Sequence, residues 1–397
     1  MKLKNCVYGA VLGAFSLSLA SCYNADKEFP DYEGGTTAYF AFQYPVRTLV
    51  LGNDIYDNSL DNEHKLRIWS TMGGAYGGRD ATVDIAVDET LCDNLFFTDD
   101  GGNAAAPVLP MPSAYYKLSS NSIPYNGDAR GYVEVQLTDA FFNDEKAMEN
   151  TYVIPLVMKG VTGIDHILTG KPREGLSPSR TNTEDWEVLA KDYVLYCVKY
   201  MNPWQGKYIR RGVDQVTENE VTTTFVRKDF AIVNSDLEHY KENPVNQNDE
   251  VCGITTKNMR QAIFPVSIKR GKDASGKERA SMSCNLILTF DGDKCTVSTE
   301  DEDVVSTGSG EFIAKGSGRA EYKEFQWQGE GKADERDILR LAYNVTFKKG
   351  KVIGWDEQKK QDILLENDIQ VSTGDTLVIQ TREANQRVLF TPKYVKN

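Results

Sequence analysis

Short runs in which apolar and polar residues alternate one by one set the tightest limit on how this chain can fold. In Val83-Asp84-Ile85-Ala86-Val87-Asp88 and Tyr132-Val133-Glu134-Val135-Gln136-Leu137, alternate positions carry the aliphatic side chains. A period of two gives a strand one buried face, whereas a helix of about 3.6 residues per turn would scatter the same side chains around its circumference. Residues 37–42, 65–70, 151–158 and 192–200 also read as strands, and the glycine-rich or acidic clusters 72–78 and 99–102 read as turns. About seven short strands in this stretch predict a sandwich. Pro155 has no amide donor and predicts an edge or bulged strand around it.

A polar segment rich in Gly, Pro and Ser, 168–184, precedes a last run at 192–200, and the boundary between two domains is placed near Met201. Beyond it, strands are expected at 221–227, 262–269, 284–290, 311–315, 338–347, 375–382 and 387–395, with hairpin turns at Asp291-Gly292 and Lys349-Gly350. The expected fold class is all-β: an N-terminal immunoglobulin-like β-sandwich over 37–200, then a C-terminal antiparallel β-barrel or sandwich over 201–397. Helix is confined to short pieces around 139–148 and 236–241.

The length of 397 residues fits two domains better than one core. A formal charge of −13 argues against nucleic-acid binding, and three histidines limit metal and acid-base chemistry. Five cysteines lie past residue 22, at Cys92, Cys197, Cys252, Cys284 and Cys295. The odd number argues against a disulfide framework, and they read as small buried hydrophobes. A two-residue turn at Asp291-Gly292 would set Cys295 opposite Leu288 and Cys284 opposite Thr299, so these two would not bridge.

At the N-terminus, Lys2 and Lys4 precede an apolar run over 7–19, too short to span a bilayer, for which about 20 residues are needed. This reads as an export signal covering 1–21. Leu19-Ala20-Ser21-Cys22 resembles the bacterial lipobox, which implies cleavage before Cys22, acylation of its thiol and anchoring at the cell outer membrane. Residues 22–36 form a tether. Its opening, Tyr23-Asn24-Ala25-Asp26-Lys27-Glu28, resembles the surface-export signals of Bacteroides-type lipoproteins, although a plain solvated tether fits the same composition.

Several segments together resemble a Bacteroides-type family of surface lipoproteins from polysaccharide-utilisation clusters. They include Tyr39-Phe40-Ala41-Phe42-Gln43-Tyr44-Pro45, Tyr56-Asp57-Asn58-Ser59-Leu60-Asp61-Asn62, Leu137-Thr138-Asp139-Ala140-Phe141-Phe142 and Tyr152-Val153-Ile154-Pro155-Leu156. The first half resembles the β-sandwich domain that also precedes chitinase-like endo-N-acetylglucosaminidases. The second half, through Asn202-Pro203-Trp204-Gln205-Gly206-Lys207-Tyr208 and Asp375-Thr376-Leu377-Val378, resembles an all-β partner domain of unknown function. The resemblance implies a lipoprotein that binds glycan at the cell surface near glycosidases and an import complex. The catalytic barrel of the longer relatives would need alternating strands and helices, and no such pattern follows the first domain.

Sugar-binding surfaces use exposed aromatic rings beside polar side chains. Trp69 and Trp204 read as core residues, while Trp327 and Trp355 stand in polar surroundings and are the glycan-binding candidates, together with Tyr76 and Arg79 in the loop 72–80. No histidine adjoins a nucleophile motif, so no catalytic residue is assigned and the chain reads as a non-enzyme. No metal or cofactor is assigned: an EF-hand reading of the acidic turn at Asp291 fails because its fifth position is Cys295. The alternatives are a glycoside hydrolase or esterase with an unrecognised site, and a protein-binding adhesin or scaffold.

Overall fold

The computed structural model describes residues 31–54, 56–227, 250–317, 336–382 and 388–396, and they are almost entirely β. In the first half, one sheet has the spatial order His166–Ile167, Thr37–Tyr39, Lys65–Gly73, Arg130–Leu137, Tyr116–Leu118. The facing sheet has the order Val388–Leu389, Pro45–Val50, Tyr193–Met201, Tyr152–Thr162, Thr82–Val87, Ser122–Pro124. Leu66, Ile68, Val133 and Val135 from the first sheet meet Val83, Ile85, Ile154 and Leu156 from the second in one core. The second sheet is also covered behind, where Val153, Val157, Leu195 and Cys197 pack with Leu95, Phe97, Trp186 and Phe390. Burial on both faces explains why Tyr152–Met158 is almost wholly apolar, whereas the first sheet keeps strict alternation and one solvated face.

Of the two positions expected for Pro155 the edge is not met, because its strand lies inside the sheet, between Tyr193–Met201 and Thr82–Val87. The opposed Leu195 sends its amide away from Pro155, to Gln43 O, so that pair exchanges no hydrogen bond. On the other side the ladder starts at Leu156, and just before it Pro155 O accepts from the Asp88 amide at 2.9 Å, so this end of the pairing uses the carbonyl that proline keeps and not the amide it lacks. The strand does have a bulge, between Met158 and Gly160.

The segment 56–62 serves as a fastener. Buried Asp61 accepts from the Val50 amide and pairs with Arg47, while Asn58 Nδ2 donates to Val50 O and Gly52 O. Short helices occur at Asp139–Phe142 and Glu145–Met148, and 236–241 lies outside the described residues.

The second half is a closed barrel. Gly206–Glu218, Glu250–Asn258, Gln261–Ile268, Met282–Asp291, Lys294–Thr299, Val304–Ile313, Ile338–Phe347 and Ile369–Thr381 neighbour one another in chain order, and the last pairs back onto the first. At this seam Gly212 opposes Asp375, and a Cβ there would stand 2.2 Å from Gly374 O, so the close approach requires glycine. Trp204 stacks on Phe290 at 3.7 Å as part of the barrel core. The hairpin after Met282–Asp291 turns at Gly292-Asp293, one residue later than expected, because a II′ loop takes glycine with positive φ at its first position and Gly292 has φ 60°. Cys295 therefore faces Phe290, and Cys284 faces Val266 on the other neighbour. All five described cysteines are free and buried, and burial pushes each thiol up to about 12.

Arg382 ties the two halves together. It donates through Nη1 to Pro203 O at 2.7 Å and Asn53 O at 3.3 Å, and through Nη2 to Asn202 O at 2.6 Å and Leu51 O at 3.0 Å. The chain then returns to the sandwich: Val388–Leu389 pairs with Pro45–Val50, and Pro392–Tyr394 pairs with Leu95–Thr98. Phe390 fills the space beside Tyr44 and Phe97.

Candidate functional site

The solvated face of the first sheet carries the most distinctive surface. Along Lys65–Gly73 the alternation turns Leu66, Ile68, Ser70 and Met72 inward, so Lys65, Arg67, Trp69 and Thr71 point out. The partner strand turns Val133, Val135 and Leu137 inward and Arg130, Tyr132, Glu134 and Gln136 outward. Register then sets Lys65 opposite Gln136, Arg67 opposite Glu134, Trp69 opposite Tyr132 and Thr71 opposite Arg130. The Trp69 and Tyr132 rings meet at 4.7 Å between centroids and are 38% and 36% exposed. The diagonal neighbours complete the row: the Arg67 guanidinium lies 4.4 Å from the Tyr132 ring centre and that of Arg130 lies 5.5 Å from Trp69.

The row is thus guanidinium, tyrosine, tryptophan, guanidinium across two strands. Glu134 sits beside it, 3.7 Å from Lys65 Nζ and 3.9 Å from Arg67 Nε, and Lys65 also bonds Glu63 at 2.9 Å, which raises the lysine pKa. Among the described residues, the Arg130 guanidinium has no carboxylate partner. Such a face offers apolar ring surface for the C–H face of a sugar, with donors and an acceptor at its margin for hydroxyl groups.

Trp69 was expected in the core and is not there. Its parity explains this: it shares a face with Lys65 and Arg67, and Leu66 and Ile68 hold the inward positions. The same parity argument, applied to sequence alone, would have placed Trp69 outside. Trp204, with 8% exposure, and Trp186 are buried.

Tyr76 and Arg79 occupy the loop that leaves Lys65–Gly73 at its far end, about 13 Å of strand beyond Trp69 at about 3.3 Å per residue. Tyr76 is exposed, its backbone amide donates to Asp31 Oδ1 at 3.0 Å, and the Arg79 guanidinium pairs with the same carboxylate. The Arg79 backbone amide also donates to Asp128 O at 3.3 Å, two residues before Arg130, so the loop borders the same end of the sheet. Trp355 is 52% exposed but belongs to the hairpin Val352–Asp356 with Gln361–Leu364, which leaves the barrel between two of its strands. Cys22 and Trp327 lie outside the described residues. Among the described residues, no group of three or more His, Cys, Asp or Glu could hold a metal ion, and no helix is long and apolar enough to cross a membrane.

Known proteins sharpen the picture. A Bacteroides ovatus protein of unknown function, solved by structural genomics, is 37% identical, with a TM-score of 0.72 over 92% of this chain and 100% of that one. The chain belongs to that protein's family. The barrel half of this family member matches a family model described as a domain of unknown function, DUF5627, over residues 203–383. A second family model, described as an N-terminal domain, matches residues 32–165. Two further Bacteroides ovatus structures match with TM-scores of 0.34: a multidomain protein including DUF1735, 11% identical over 89% of this chain and 99% of its own, and a protein of unknown function, 9% identical over 81% and 86%. No curated protein matches this family member.

Proposed function

We propose that the chain is a surface lipoprotein that binds glycan without cleaving it, and that the Trp69–Tyr132 face is where the glycan lies. The exposed ring pair on a solvated sheet, flanked by Arg67, Arg130, Glu134 and Gln136, carries this reading. Retention rather than hydrolysis follows from the acids available there. The acids at this face, Glu63 and Glu134, are both taken up by cations, with Lys65 Nζ 2.9 Å from Glu63 and 3.7 Å from Glu134 and Arg67 Nε 3.9 Å from Glu134, whereas cleavage needs one carboxyl free to donate a proton. In this reading acylated Cys22 holds the protein at the outer membrane, the tether lifts the sandwich clear of it, and the bound glycan stays within reach of surface glycosidases and an import complex.

Calorimetric titration across a panel of plant and host polysaccharides tests the site. Trp69→Ala should weaken binding of whichever glycan the wild type retains by about 2 kcal/mol, or about thirtyfold, at unchanged far-UV circular dichroism. Full affinity in that variant would remove the face from consideration, and a sugar product released by the purified protein would replace binding with hydrolysis.

A further inference from the structure

Building on the glycan reading, we infer that the sheet face selects polysaccharides bearing anionic substituents, carboxylate or sulfate, over neutral ones. The chain as a whole is acidic, with 58 Asp plus Glu against 45 Lys plus Arg. The outward positions of the three strands around the ring pair reverse that balance. They present Lys65, Arg67, Arg130 and, opposite Gln136 on Tyr116–Leu118, the exposed Lys117, against Glu134 alone. The compensation is also incomplete. Lys65 is satisfied by Glu63 at 2.9 Å, but Glu134 reaches Arg67 only at 3.9 Å, longer than a hydrogen bond, and Arg67 Nε has no hydrogen-bond partner. Arg130 and Lys117 have no acidic partner among the described residues.

A neutral glycan would use the rings and take hydrogen bonds from the guanidiniums through its hydroxyl groups, but would leave their charge unmatched. An anionic one places a charged oxygen beside a guanidinium each time a sugar stacks on a ring, because Arg67 and Arg130 lie against the rings themselves. The net charge of −13 opposes a polyanion over the molecule as a whole, so attraction has to come from a local excess of cations such as this one.

Affinity electrophoresis and calorimetry of the mature chain against four polysaccharides test the inference: polygalacturonate, its methyl-esterified form, chondroitin sulfate and galactomannan. The expected result is binding to polygalacturonate or chondroitin sulfate, the two distinguishing carboxylate from sulfate. That binding should be lost on methyl esterification where the carboxylate is the ligand, and should fall about tenfold or more between about 0.05 and 0.5 M salt. Arg67→Gln combined with Arg130→Gln should weaken it about tenfold while the fold stays intact. Equal or tighter binding of galactomannan or the methyl ester, still sensitive to Trp69→Ala, would overturn the anionic preference and leave the glycan site standing. Anion binding indifferent to the double arginine variant would also overturn it. If the wider panel used for calorimetry shows no binding either, the glycan reading itself falls.

Discussion

Replacing Arg382 with alanine is expected to destabilise the protein by about 3 kcal/mol or more and to uncouple the sandwich from the barrel. Arg382 is 7% exposed, and its guanidinium donates to four carbonyls, two on the sandwich side at Leu51 and Asn53 and two at the junction, Asn202 and Pro203. Alanine leaves those acceptors in a site shaped for a planar donor. Lysine would recover little, because one ammonium on a flexible stem cannot reproduce the fork that reaches four oxygens. Differential scanning calorimetry reads the outcome as a lower first transition and a wider gap between the unfolding of the two halves. Superimposable melting curves for wild type and variant would contradict the role given to this residue.

A comparable loss is expected inside the barrel. Asp375 accepts from Arg210 Nε at 3.0 Å, Arg227 Nη1 at 3.2 Å and the Tyr343 hydroxyl at 2.8 Å. Arg210 is 1% exposed and also lies 5.1 Å from the Phe264 ring centre. Asp375→Ala takes the buried partner from that cation, leaving it the half-exposed Glu250 at 3.0 Å, and should cost about 3 kcal/mol. Removing the buried pair together is gentler: Arg210→Met with Asp375→Leu should recover part of the loss, since two apolar side chains need no desolvation and Arg227 keeps Asp214 and Glu250 as partners. Urea denaturation followed by tryptophan fluorescence separates the cases. A double variant no more stable than Asp375→Ala would show that packing, and not charge pairing, dominates there.

Local alternation was enough to read most strands, because one buried face imposes a period of two wherever it occurs. Val83–Val87 and Tyr132–Leu137 are clear examples. Long-range pairing leaves no such trace. Nothing in the sequence around Gly206 announces that Ile369–Thr381 will close the barrel against it, nor that Val388–Leu389 will return to the sandwich beside Pro45–Val50. The site was hidden for a different reason. A tryptophan in a strand is counted as core by its apolarity, and only its parity with Lys65 and Arg67 tells otherwise. Arg67 and Arg130 become legible only once register makes them diagonal neighbours of the two rings.

Hydroxyl-radical footprinting, with and without the polysaccharide that binds most tightly, tests the glycan site most directly, since oxidation of each aromatic ring reports its own access to solvent. Protection of Trp69 and Tyr132, with Trp355 oxidised at the same rate in both states, is the predicted result. Unchanged oxidation of Trp69 with protection at Trp355 or Trp327 would move the glycan to the second half of the chain and contradict the account.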